Sequence, residues 1–349
     1  MIENVHISCE EVRSLAIAAM RTHGFAESEA AITVTALLAA ERDGLPSHGL
    51  SRLPFYLDQA ATGKVSVAAV PTVEVDGVVV RVSADYGLAF PAIARGMDAG
   101  LKCAAQSGMA AVSISQSHHF GVAGAVVENA ARQGFMALAF SNAPAAMAAW
   151  GGSRPLFGTN PIAFACPRHG GADPLLIDLS LSRVARGNVM LAKKRGEAIP
   201  EGWALDSQGQ PTTDPDAALA GSMLPAGEAK GAVLALMVEL LTAGLSGSKF
   251  GFQTSSFFDA DGEPPGIGQL ILLFDPNRFS AGFLEHAETL FAAMLEEPGV
   301  RLPGDRRYQR RRESLDELVL PSELLMSLRE YATSNSAKPQ PDSAEKGRL

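Results

Sequence analysis

Residues 110–141, AAVSISQSHHFGVAGAVVENAARQGFMALAFS, decide the fold class. Residues 110–116 are a short apolar run of the length of a buried strand, 123–132 read as a helix, and 135–141 read as a second buried strand. Strand, loop, helix and strand in that order belong to the α/β class. The connecting SHHFGVAG, residues 117–124, lies where such proteins present backbone N–H groups to an anion, and its small residues would let a phosphate approach. A plain strand-to-helix turn is the simpler reading of the same residues. The loop is not GxGxxG, no GxxxxGK[ST] occurs anywhere, and no acidic residue follows about twenty positions on. A standard Rossmann site is therefore not expected.

Upstream, 8–40 read as two helices interrupted at Thr22, His23 and Gly24, 73–82 as one or two valine-rich strands, and 88–106 as a long helix with Pro91 in its first turn. Downstream, 143–171 is rich in Gly and Pro around the apolar run 162–165, the kind of long loop that carries function. Strands are expected at 175–179 and 268–274, an amphipathic helix at 230–243, and helices at 278–297 and 321–332. The polar segment 334–349 closes the chain, and there is no internal repeat.

The 349 residues suggest about two domains, and 47% apolar with 19% charged residues is the composition of a compact globule. A formal charge of -9 disfavours a nucleic-acid partner. Three scattered cysteines, with no CxxC or HExxH, offer neither a disulfide framework nor a metal cage, so no metal is expected. The first residues lack a basic flank and apolar run, and no stretch is long and apolar enough to span a bilayer, so a cytoplasmic protein without membrane contact is expected.

Three segments carry chemistry. SHGLSR, residues 47–52, spaces His48 and Arg52 four apart, pairing a proton-transfer group with a planar fork for a carboxylate. A capping histidine and a solvated arginine are the competing structural reading. PLFGTNPIAF, residues 155–164, fixes a turn with Gly158 and Pro161 and exposes Thr159 and Asn160. The basic run 306–312 is either a solvated helix face or a phosphate clamp.

These segments, with IDLSLSRVARGNV (177–189), IPEGWALDSQGQPTTDP (199–215), KGAVLALMVELL (230–241) and GQLILLFDP (268–276), fall in the order of the malate/L-lactate dehydrogenase family, which is distinct from the Rossmann-type enzymes. The resemblance covers about residues 5–330. Within the family the chain looks most like the Δ1-piperideine-2-carboxylate/Δ1-pyrroline-2-carboxylate reductases, notably at SHHF, at PLFGTNPIAF and at RLPGDRRY (301–308). The resemblance implies a non-Rossmann mixed β-sheet flanked by helices, a helical domain built from both chain ends (1–115 plus 278–334), a cofactor-binding sheet domain (116–277) and a homodimer; the polar composition of 335–349 is that of a flexible tail.

The resemblance also implies NADPH along His119, Phe120, Gly121, Val122 and Ala123, along Asp178, Leu179 and Ser180, near Lys230, and at Gly304, Asp305, Arg306 and Arg307. Substrate contacts would come from Arg52, Thr159, Arg186 and Gly187, with His48 as proton donor beside Ser47. Asn188 stands where relatives similar to this chain carry an aspartate completing that relay, and residues 227–231, GEAKG, stand where they carry GGHKG. The expected activity is NADPH-dependent reduction of small cyclic imino acids to L-proline or L-pipecolate. The rival expectations are an NAD(P)-dependent 2-hydroxyacid dehydrogenase acting on malate, lactate or ureidoglycolate, and a catalytically weakened relative that only binds cofactor.

Overall fold

The computed structural model describes residues 4–314 and 316–333, so the expected tail at 335–349 lies outside the described residues. Its centre is a mixed seven-stranded sheet in the order Thr72–Asp76, Val79–Ser83, Met109–Ser117, Ile267–Phe274, Met136–Ser141, Ile162–Cys166, Leu175–Leu179. Val79–Ser83 and Met109–Ser117 run parallel, and the remaining neighbours pair antiparallel. Ile267–Phe274, IGQLILLF, is apolar at nearly every position and is covered on both faces, which suits a central strand. It inserts between the two strands that flank SHHFGVAG, antiparallel to both. The strand-loop-helix-strand unit therefore does not close on itself as a Rossmann βαβ unit does.

One face of the sheet packs against the helices Ala89–Ser107 and Ala123–Arg132 through Val80, Val112, Ile114, Val127 and Ile271. The other face packs on the helix Ala229–Glu239 and a small five-stranded sheet, around Phe140, Met147, Leu181, Val238 and Leu270. Above the sheet lies a helical layer of Cys9–Thr22, Glu27–Arg42, Leu53–Ala61 and Ser322–Thr333, with Val12, Ala16, Met20, Leu37, Leu57 and Leu328 in its core. The first of these helices starts where Ser8 Oγ accepts from the Glu11 N–H at 3.1 Å. Both chain ends build this layer, since the strand Asn4–Ser8 pairs antiparallel with Glu317–Pro321.

Several expectations are corrected. The sheet begins at Thr72 rather than at 116, because Val79–Ser83 pairs with Met109–Ser117, so a boundary at 115 cuts a strand. The helix expected over 278–297 is two pieces, Pro276–Phe279 and Phe283–Leu295. The longer piece packs on the sheet edge against Cys166 and Leu175 rather than in the helical layer. The helix expected to be amphipathic over 230–243 keeps Val233, Leu236, Met237 and Leu240 exposed and widens into a π-helical turn at Leu240–Gly244. Among the described residues no helix is long and apolar enough to cross a membrane, and no group of His, Cys, Asp and Glu has the arrangement of a metal site.

Candidate active site

Ser117, Ser141, Ile162 and Leu179 lie at one end of the sheet, as the registers Ile267↔Ser117, Gln269↔Ser141, Phe140↔Ile162 and Ile162↔Leu179 require. The helical layer covers that end, and a cavity of about 430 Å³ opens between them. Into it the structure brings Ser47, His48, Arg52, His119, Phe120, Gly121, Val122, Ala123, Thr159, Asp178, Leu179, Ser180, Arg186, Gly187 and Arg307. Five expected residues stay outside its lining: Asn188, Lys230, Gly304, Asp305 and Arg306.

His48 and Arg52 come from two consecutive 3-10 turns, Pro46–His48 and Leu50–Arg52, rather than from one α-helix. The half-buried Glu41 holds these turns from behind, accepting from the Leu50 N–H at 2.7 Å, and desolvation raises its carboxyl to about 7. Gly49 lies against this carboxylate, and a Cβ there would force the Glu41 side chain to move. His48 Nδ1 is 3.1 Å from Ser47 Oγ, which leaves Nε2 for a ligand. The His48 ring stacks on His119 at 5.5 Å between centroids, and Tyr56 and His119 Nδ1 share a hydrogen bond of 2.8 Å. Burial first, then the positive charges of Arg52 and Arg307, lower His48 to about 4. The imidazole is therefore neutral near pH 7 and is poised to accept a proton rather than to donate one.

Two guanidinium groups in the cavity lack an anionic partner among the described residues. Arg52 is 7% exposed. Its Nε donates to Ser47 O at 2.7 Å, its guanidinium carbon lies 4.5 Å from the centre of the Phe258 ring, and its buried Nη1 has no acceptor. Arg186, half-buried at the start of the helix Arg186–Arg195, donates from Nη1 to Ala145 O at 3.2 Å. Burial lowers the pKa of both, and each remains a charged guanidinium.

Arg307 differs. Its Nη2 donates to Asp178 Oδ2 at 2.9 Å, and its Nε lies 3.9 Å from Asp43, which also takes both prongs of Arg311. Arg311 in turn reaches Glu128. Asp178 Oδ2 also accepts from the Gly124 N–H at 3.0 Å, so the helix N-terminus expected to hold an anion is capped by the protein's own carboxylate. The buried Arg307 Nη1 is left with no partner at the cavity wall. A phosphate oxygen of a dinucleotide would satisfy it, and on this observation the expected cofactor fits the residues present.

The absentees have structural explanations. Asn188 is exposed in the first turn of its helix, and its N–H donates to Ala185 O. Its neighbour Gly187 faces the site instead, since a Cβ there would be 3.5 Å from Ser47 Cβ. The relay position assigned to Asn188 is thus not brought to His48. Arg306 and Lys230 are exposed, Gly304 starts the helix Asp305–Glu313, and Asp305 accepts from the Leu302 N–H at 3.0 Å. The long loop expected to carry function from 143 onward does supply a wall, 141–146, though no residue of it was singled out; sequence reading missed the wall formed by Gly251, Phe252, Thr254 and 256–258. The small residues and Pro144 after the strand Met136–Ser141 were the available signal for the first wall; the second carries none.

A family model described as malate/L-lactate dehydrogenase matches residues 7–329. The chain is 65% identical over 328 residues to the (2R)-3-sulfolactate dehydrogenase (NADP(+)) of Chromohalobacter salexigens, covering 94% of this chain and 98% of that protein. Among solved structures it is similar to Δ1-piperideine-2-carboxylate reductase from Pseudomonas syringae pvar. tomato, with TM-score 0.88 and 37% identity over 94% of this chain and 99% of that one. It is also similar to sulfolactate dehydrogenase from Methanocaldococcus jannaschii, with TM-score 0.86 and 28% identity over 94% and 96% of the two chains.

Proposed function

The chain belongs to the malate/L-lactate dehydrogenase family, and we propose that it oxidises, reversibly and with NADP(H), a 2-hydroxy acid carrying a second anionic group, with 3-sulfolactate as the first candidate. The observation that carries this reading is the pair of cavity guanidiniums, Arg52 and Arg186, that have no anionic partner among the described residues. Two such charges call for a dianion, because one carboxylate leaves the other guanidinium uncompensated in a partly desolvated wall. The 65% identical relative bears the name of an enzyme for such a substrate and for NADP(+).

In this reading Arg52 grips the carboxylate through its free Nη1 and Arg186 takes the distal sulfonate or carboxylate. Thr159 orients the hydroxyl-bearing carbon. His48 donates from Nδ1 to Ser47 Oγ, and its neutral Nε2 accepts the hydroxyl proton as the C2 hydride leaves, so a 2-oxo acid forms. NADP(H), when bound, supplies the hydride acceptor or donor at nicotinamide C4. The residues that would hold it are His119–Ala123, Asp178–Ser180 and Arg307.

Cyclic imino acids are the second reading, favoured by the likeness to piperideine-2-carboxylate reductase. They bring one carboxylate and so match one guanidinium only. The test is a side-by-side assay of NADP+ reduction with 3-sulfolactate, malate and lactate, and of NADPH oxidation with pyrroline- and piperideine-2-carboxylate. Highest kcat/KM on a dianionic hydroxy acid is the expected result, and highest kcat/KM on a cyclic imine overturns it.

A further inference from the structure

The carboxylate of Glu239 is buried, has no cationic partner among the described residues, and stands outside the cavity behind its wall. Four N–H groups converge on it. Asn160 Nδ2 at 3.0 Å and the Gly158 N–H at 3.4 Å donate to Oε1, while Asn142 Nδ2 at 3.2 Å and the Gly251 N–H at 3.1 Å donate to Oε2. A carboxylate offers acceptor sites to all four, whereas an amide presents its own N–H to two of them. Burial raises its pKa, and the four donors oppose that rise by hydrogen-bonding the ionised form.

We infer that Glu239 is a positioning residue that pins three separate loops into one substrate-side wall, and through them sets the places of Arg186, Thr159 and Arg52. Asn142 begins the loop whose Ala145 O accepts from Arg186, and the Ala145 N–H donates to Gly251 O at 3.0 Å. Asn160 and Gly158 flank Thr159, whose own carbonyl accepts from the Leu181 N–H at 2.8 Å. Gly251 opens the segment that carries Phe258, the ring beneath the Arg52 guanidinium. The π-helical turn that follows Glu239 directly continues its helix. The wall along 119–124 makes no hydrogen bond to Glu239 and comes from a different strand and helix.

The kinetic half of this inference rests on the cavity being the hydroxy-acid site; the dynamic half does not. The test is Glu239→Gln, compared with the parent by amide hydrogen exchange, by NADPH affinity from fluorescence titration, and by steady-state kinetics on the best substrate of the parent. Expected are faster exchange at 142–146, 157–161 and 250–254 with 119–124 unchanged, a substrate KM raised about tenfold or more, and an NADPH Kd changed less than about twofold. Unchanged exchange in the three loops overturns the inference, and so does an NADPH Kd weakened as much as the substrate KM, which would mark a general loss of structure. If Glu239→Gln does not fold, Asn160→Ala removes one of the four donors and carries the same comparison. Loosened loops in a chain whose parent oxidises no 2-hydroxy acid would support the pin and overturn the proposed function.

Discussion

His48 shows how burial selects a direction of chemistry. In water its imidazole would be half protonated near pH 6.5, but its surroundings lower that to about 4. The neutral form is the active base, so protonation removes activity and activity rises with pH through the group's pKa. The acid limb of kcat/KM for hydroxy-acid oxidation is therefore expected near pH 4, with no step near 6.5. An acid limb at 6.5 would show that His48 is solvated or is not the base. His48 and Arg52 were legible because two reactive side chains four residues apart are a local signal. The role assigned to Asn188 was not, because one residue along a helix turns the side chain by about 100°. Gly187 faces Ser47 and Asn188 faces outward.

At the scale of single elements, the turn that presents His48 depends on close approach. Gly49→Ala drives a methyl group into the Glu41 side chain, which must give up its bond to the Leu50 N–H as it moves, so the two 3-10 turns lose a support and kcat/KM is expected to fall about tenfold with the fold retained. Near-parental kinetics would show that the turn absorbs the methyl group. A second element carries strain: Glu228, just before the helix Ala229–Glu239, holds φ 58° and ψ -125°, a conformation suited to glycine. Glu228→Gly is expected to stabilise by about 1 kcal/mol, read from the denaturant midpoint. Strands were legible from apolar runs. Their order was not, because Ile267–Phe274 reaches the centre of the sheet from more than a hundred residues downstream of its partners, and only pairing shows that. For the same reason Arg307 and Arg306 looked alike in sequence, while one faces the cavity and the other solvent.

For the whole molecule, burial of His48, His118 and His119 where the two layers meet links stability to pH. Their folded pKa values lie below the unfolded value near 6.5, at about 4 for His48 and about 3 for His118. The unfolded chain binds protons first as pH falls, so stability present above pH 6.5 is lost on acidification toward pH 4, by up to about 1.4 kcal/mol per pH unit for each histidine. His118, whose ring nitrogens have no hydrogen-bond partner among the described residues, is outside the cavity lining. His118→Phe is expected to flatten that pH dependence, and an unchanged slope would mean that its ring is hydrated. On the outer surface, Val233, Leu236, Met237 and Leu240 form one exposed stripe on consecutive turns, for which the homodimer implied by the family resemblance supplies the cover we propose. Sedimentation of Leu236→Glu/Leu240→Glu is expected to give a monomer where the parent gives a dimer; dimers in both would place the interface elsewhere. The junction itself poses the central question, whether its two unpaired guanidiniums select a dianion. The most direct measurement is the ratio of kcat/KM for 3-sulfolactate to that for lactate with NADP+. Pairing of a distal sulfonate with Arg186 is worth about 2 kcal/mol or more, so the expected ratio is about thirty or higher and collapses toward one in Arg186→Met. A parental ratio near one, or a high ratio that survives Arg186→Met, would contradict it.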